Sequence, residues 1–274
     1  MQIRRLTGAA LLAGVALSVG ACRREARELP NAFSWSDELA PGTTVHLVTM
    51  HGDVTVRGSA ESQTHVQGIK RWRRGRDRDV HFAVDRRGGD VYVCAIWTRR
   101  GGRCGGDRYK AQPPRWLRMF SLLRRRSDMN ASFEVMLPAG VRVDASTVNG
   151  RVTVTEAAGD VKAATVNGDI RASTIGGALS LRTINGSIRA RAASLAKDAP
   201  IDLETVNGSV RAELPSALDA DVQLSTVNGR ITTDFPLAVS GRASARELRG
   251  TVGGGGRPVR LQTVNGSVEL KTKS

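Results

Sequence analysis

From Val141 to Leu270 apolar residues alternate with polar ones, and the phase of the alternation flips at intervals. Val141, Val143, Ala145 and Thr147 share one parity; beyond Asn149-Gly150, Val152 and Val154 take the other. The pattern returns as Val161, Ala163, Thr165 then Ile170, Ala172, and as Leu179, Leu181, Thr183 then Ile188, Ala190. It returns again as Ile201, Leu203, Thr205 then Val210, Ala212. Period-two alternation predicts strands. The flip predicts a bend at each Asn-Gly, because a straight strand keeps its phase. Second bends are predicted between units, at Ala158-Gly159, Gly176-Gly177, Asp198–Pro200, Pro215–Asp219 and Gly253–Gly256.

The flip falls on a recurring tetrapeptide. Thr-Val-Asn-Gly begins at Thr147, Thr165, Thr205, Thr226 and Thr263, and Thr-Ile-Asn-Gly at Thr183, so that starts lie 18, 18, 22, 21 and 37 residues apart. Glu247-Leu248-Arg249-Gly250 reads as a worn copy within the long gap, and Thr49–Gly52 as a degenerate first copy. A short fixed period means one unit stacked many times. Asn-Gly is also a strong hairpin signal, which would give an antiparallel meander. A parallel β-solenoid accounts better for the same Thr and Asn in every unit. In a solenoid, like residues stack about 4.8 Å apart, and Asn149, Asn167, Asn185, Asn207, Asn228 and Asn265 form a structural hydrogen-bonded ladder. Seven or eight coils give a rod of roughly 35 Å.

Upstream, Val66–Ile69, Val80–Val84, Val91–Ile96 and Phe133–Leu137 are strand candidates. Arg4-Arg5, the apolar run Leu6–Val19 and the small residues before Cys22 form an export signal over residues 1–21. Its end resembles the bacterial lipobox, which implies a diacylglycerol on Cys22 and anchorage to a membrane without a span. Residues 22–44 read as a tether and residues 45–274 as the solenoid domain. Cys94 and Cys104 remain as a pair, which in an oxidising compartment favours a disulfide.

Charge sharpens the picture. Of 41 basic and 26 acidic residues, 18 and 6 lie within Lys70–Asp128. The insertion at residues 97–128 interrupts the strands, and Arg115–Arg126 has a helical pattern with Trp116, Met119, Phe120 and Leu123 on one face. Such a segment suits either a cap over the open solenoid end or contact with an anionic surface through Arg71, Arg73, Arg74, Arg118, Arg124, Arg125 and Arg126. Export excludes nucleic acid as the partner. Aromatics are only 4%, so the core must be aliphatic.

Catalytic chemistry finds little support. Polysaccharide-cleaving β-helices need clustered carboxylates. The row after each Asn-Gly holds Arg151, Asp169, Ser187, Ser209, Arg230 and Ser267, with no two carboxylates adjacent. His46, His51, His65 and His81 lack ligand spacing, so no metal or cofactor is expected.

The serial Thr-Val-Asn-Gly copies, the ending Leu248–Val268 and the Phe133–Gly140 strand together resemble the bacterial "putative adhesin" family, a domain of unknown function in envelope proteins. The resemblance covers about Val45–Lys271, apart from the insertion. It implies an all-β, right-handed parallel β-solenoid without known catalytic residues. The reading is therefore a non-enzymatic envelope lipoprotein, at the periplasmic face of an outer membrane or the cell surface. Its rod binds or scaffolds anionic lipid, lipopolysaccharide or another envelope protein. The alternative is a carbohydrate-active β-helix enzyme acting on an acidic polysaccharide.

Overall fold

The computed structural model describes residues 27–28, 31–73, 77–97, 104, 128–239 and 244–273. Among them the fold is all-β apart from one short 3₁₀ turn, Asp77–Asp79. Two eleven-stranded sheets face each other across an aliphatic core. In each regular rung a strand of the first sheet runs into the tetrapeptide, bends, and continues as a strand of the second. Thus Val161–Asn167 leads to Ile170–Thr174, Leu179–Asn185 to Ile188–Ala192, and Ile201–Asn207 to Val210–Leu214. Equivalent strands of successive rungs pair in parallel with like residues opposite, Thr165 to Thr183 to Thr205 and Ile170 to Ile188 to Val210. This is the stacked arrangement expected from the repeats; the Asn-Gly corners do not join hairpin partners.

The threonine of each copy points inward and binds the rung beneath. Its Oγ1 donates to the corner carbonyl of the neighbouring rung: Thr147 to Gly52 (3.0 Å), Thr165 to Gly150 (3.0 Å), Thr183 to Gly168 (3.0 Å) and Thr205 to Gly186 (2.9 Å). A buried hydroxyl needs such a partner. Glycine is required at the corner by close approach. A Cβ on Gly186 would stand 2.0 Å from the Gly168 carbonyl oxygen.

Stacking order departs from sequence order at both ends. Val259 in the last copy pairs with Ile201 on one side and with Val222 on the other. The final rung, Pro258–Asn265 with Val268–Thr272, therefore lies between Ile201–Leu214 and the outer rung Ala220–Thr233. Glu247–Gly250 is no worn corner. It lies in the strand Glu247–Val252, which runs antiparallel along Ala220–Asn228 and covers that end of the first sheet. Its return turn explains the glycine run: Gly254 and Gly256 donate backbone N–H groups to Asp219 (2.7 Å) and Asp221 (3.0 Å), with φ +57, +73 and +99° at Gly253, Gly255 and Gly256.

The opposite end mirrors this design. Thr44–Val48 and Val54–Ser59 form a rung beneath Arg142–Ala157. Asp90–Trp97 and Asn130–Pro138 make one further rung outside it. Antiparallel strands Val80–Arg87 and Gln63–Arg71 then close the two sheets. Eight rungs result, about 34 Å from first to last at the usual strand spacing. Ala32–Glu38 is part of this closure and not tether: it pairs antiparallel with Gln63–Arg71 and buries Phe33 and Trp35. Its two aromatics of one parity sit among charges and prolines, which conceal the strand in the sequence. Aromatics gather at this end, where the Phe82 ring lies 5.2 Å from Phe33 in a tilted contact and 5.4 Å from Phe133 edge-on.

Because backbone cannot yield at the corner, Gly186→Ala is expected to lower unfolding free energy by more than about 4 kcal/mol. Gly176→Ala, whose Cβ meets nothing nearer than 3.5 Å, is expected to leave the urea midpoint nearly unchanged. Equal midpoints for the two variants would contradict the close-packed corner.

Candidate functional site

Three surfaces carry chemistry. The first is the corner itself. Each asparagine donates an Nδ2–H to the Oδ1 of its neighbour, along Asn228, Asn265, Asn207, Asn185, Asn167 and Asn149, every step 2.8 Å. Asn149 Nδ2 lies 3.0 Å from His51 Nδ1, so the degenerate first copy completes the ladder. The ladder is in place as expected, but its order follows the rungs and not the sequence. Beside it stands an apolar column that sequence reasoning missed. Ile184, Val206, Val264 and Val227 are exposed, and Val148 and Val166 half-buried. The available signal was the β-branched apolar residue at the second position of every copy, which the buried threonine before it does not require.

The second surface is a groove of about 990 Å³ across the outer face of the first sheet. A row of outward side chains in register forms its floor: His46, Asp144, Lys162, Ser180, Asp202, Arg260 and Gln223. Its most organised part is the His46 cluster. The imidazole stacks on Tyr92 at 4.2 Å and 4°. Its Nδ1 faces Asp144 at 3.4 Å and its Nε2 faces Asp90 at 3.5 Å. The hydrogen bond to Asp144 raises the His46 pKa above its ordinary 6.5, against the opposing effect of burial. Burial pushes the Asp144 carboxyl up, but His46 and Lys162, the latter 2.9 Å away, outweigh it and hold it below the ordinary value. The Thr44 backbone N–H, at 2.8 Å, lowers Asp90. The sequence separates His46, Asp90, Tyr92 and Asp144 by up to 98 positions, and no short motif announces them.

The row after each Asn-Gly serves the backbone. Asp53 accepts the Arg151 N–H (2.8 Å) and Asp169 that of Ser187 (3.0 Å), while the Ser187 and Ser209 hydroxyls accept the amides of Ser209 and Ser267. Among the described residues no group of three or more His, Cys, Asp or Glu side chains could hold a metal.

The third surface is the root of the insertion. Trp97 stands edge-on to His51 at 5.9 Å, and the Ala131 carbonyl accepts the Thr49 hydroxyl at 2.8 Å. In the terminal rung Trp97 thus takes the asparagine position and Ala131 the glycine position. The insertion replaces the link between them. Cys94 and Cys104 are joined by a disulfide. Both are buried with Ile96 against Val48, Ala83 and Tyr92 on the outer face of the first sheet. Arg71 and Arg73 are exposed at this end, and the Arg73 backbone N–H binds Asp128 at 3.1 Å. Cys22, Arg74, Arg118, Arg124, Arg125, Arg126 and the helix expected at 115–126 lie outside the described residues. No helix among the described residues is long and apolar enough to cross a membrane.

Residues 139–271 match the family model described as Toastrack DUF4097. A "putative cell adhesion protein" of Clostridium sporogenes has a similar fold at 10% identity, with a TM-score of 0.50 over 88% of this chain and 99% of that one. A "putative adhesin" of Bacteroides fragilis aligns at 9% identity and a TM-score of 0.40, over 88% and 97%. No curated protein matches the sequence.

The His46 cluster sets a pH dependence. A raised histidine pKa stabilises the fold fully below the unfolded value near 6.5, and this contribution is lost as pH rises through the folded value. The depressed Asp144 and Asp90 contribute above about 3.8 and lose their contribution as pH falls through their folded values. The difference in melting temperature between the native protein and His46→Gln should therefore be larger at pH 5.5 than at pH 8.5. A difference independent of pH would refute the assigned charge state.

Proposed function

With a Toastrack DUF4097 domain over residues 139–271, we propose that this protein is a non-enzymatic envelope lipoprotein. Its rod is a binding and scaffolding surface, held by lipidated Cys22 and seated on the membrane by the basic insertion. One observation carries the reading: the start of the described chain and the root of the insertion occupy the same end of the rod. Arg27–Glu28 pairs with Ala32–Glu38, which lies beside Gln63–Arg71. That strand in turn borders Asn130–Pro138, the strand into which the insertion returns. Five residues lead from Cys22 to Arg27, a reach of at most about 18 Å.

A diacylglycerol at Cys22 would bring this end onto the bilayer. Arg71, Arg73, Arg74, Arg118, Arg124, Arg125 and Arg126 would then meet anionic headgroups, each adding about 1 kcal/mol near a charged surface. The opposite end, with Glu247–Val252, would project outward by the length of the rod. In this reading the coil is right-handed, the insertion is partly helical, and Arg23 in place of an aspartate after the lipid site directs the protein to an outer membrane. The name of the Clostridium sporogenes protein of similar fold agrees with a surface or envelope role.

The test has two arms. Cys22→Ser should release the protein from the membrane fraction of cells. In that unlipidated chain, co-sedimentation with anionic vesicles at low salt should fall about tenfold when Arg71, Arg73, Arg74 and Arg124–Arg126 become Gln, and the difference should vanish at high salt. Membrane retention of Cys22→Ser, or unchanged co-sedimentation after the arginine replacements, would contradict the reading.

A further inference from the structure

The outer face of the second sheet carries a column that the proposed function does not use. In-register outward residues run Thr55, Thr153, Arg171, Arg189, Arg211 and Glu269. Three arginines thus lie directly opposite one another on adjacent parallel strands, about 4.8 Å apart. Like charges in that relation oppose sheet formation. At either side the charge is met. Arg211 faces Glu213 at 3.1 Å and Glu269 at 3.3 Å, and Arg171 faces Asp169 at 3.6 Å. Arg191, one row over, takes the remaining Glu213 oxygen at 2.6 Å. Arg189, between them and exposed, has no carboxylate partner among the described residues. The four arginines, Glu213 and the Thr153, Thr155 and Ser173 hydroxyls surround a depression of about 340 Å³.

We propose that this column is a binding site for a linear acidic polysaccharide lying along the rod axis. Guanidinium groups pair with carboxylate or sulfate in a fixed two-point geometry. Anionic groups recurring once per sugar, every ~5 Å, match the rung spacing. The flanking hydroxyls offer donors and acceptors to sugar hydroxyls. The column is one side chain wide, which fits a thread and not the plane of a bilayer. No aromatic side chain lines the depression, so it lacks the stacking platforms on which single-stranded nucleic acid relies. The site lies along the flank of the rod, away from the root of the insertion, and the inference does not depend on the lipid anchor.

Fluorescence anisotropy of a labelled oligogalacturonate with the full chain at low salt tests it. The native protein should bind. Arg189→Gln should weaken binding about threefold, the scale of one exposed ion pair, and Arg189→Lys should recover most of the loss. Arg171→Gln/Arg189→Gln/Arg211→Gln should weaken binding at least about tenfold, with unchanged melting temperature for the single variant. Arg71→Gln/Arg73→Gln should bind as the native protein does, which separates this site from the proposed membrane contact. Absence of binding, equal binding of the neutral methyl ester, an unaffected triple variant, or an equal loss in the Arg71/Arg73 variant would each overturn the proposal.

Discussion

The structure depends on how closely two backbones approach at the corner. Glycine there leaves room for the carbonyl of the rung beneath, 2.0 Å from where a Cβ on Gly186 would be. That approach brings the carbonyl within reach of a buried threonine hydroxyl and sets neighbouring asparagines 2.8 Å apart. One residue thus meets the steric condition, a second satisfies the polar group this condition buries, and a third ties the side chains along the axis. The bonds that the corner makes are all to the adjacent rung, so the corner has little value alone and a great deal in a stack.

A stack of parallel strands leaves open edges, and these are a hazard. The chain meets this by going past its neighbour at each end, building an outer rung, and adding antiparallel strands. At one end Glu247–Val252, with Ala238–Val239 outside it, borders the first sheet, and at the other Val80–Arg87 borders the first sheet while Gln63–Arg71 and Ala32–Glu38 border the second. The cost is a non-sequential order. The final copy is placed between two earlier ones, joined by a glycine turn whose amides Asp219 and Asp221 satisfy.

What the sequence made legible was whatever the corner repeats. Strand parity, the bend at Asn-Gly and the Asn ladder follow from local spacing. The rung order was not legible, because Thr-Val-Asn-Gly at Thr263 is the same whichever copy it meets; the 37-residue gap before it held the hint, misread as a worn copy at Glu247–Gly250. Ala32–Glu38 was obscured because only Phe33 and Trp35 mark its buried parity. The His46 cluster depends on contacts between rungs, as does the Arg171–Arg189–Arg211 column. Each residue alone is an ordinary outward strand position. Register turns them into rows, and register comes from the corner.

The functional picture follows from the same geometry. A rod with repeated surfaces presents rows, one of which forms the floor of the groove at His46, and the carboxylates of Asp53 and Asp169 beside the corner accept backbone amides. The account's central claim is that like corners stack in register, with the last copy between its two predecessors. Cysteine pairs test it directly, since Glu204 lies opposite Gln262, which lies opposite Ser225. Cα atoms directly opposite on paired strands, about 4.8 Å apart, are within disulfide reach. The account predicts that Glu204→Cys/Gln262→Cys and Gln262→Cys/Ser225→Cys crosslink on mild oxidation, read by peptide mass spectrometry, and that Glu204→Cys/Ser225→Cys does not. A crosslink in Glu204→Cys/Ser225→Cys with none in Glu204→Cys/Gln262→Cys, as stacking in sequence order would give, would contradict it.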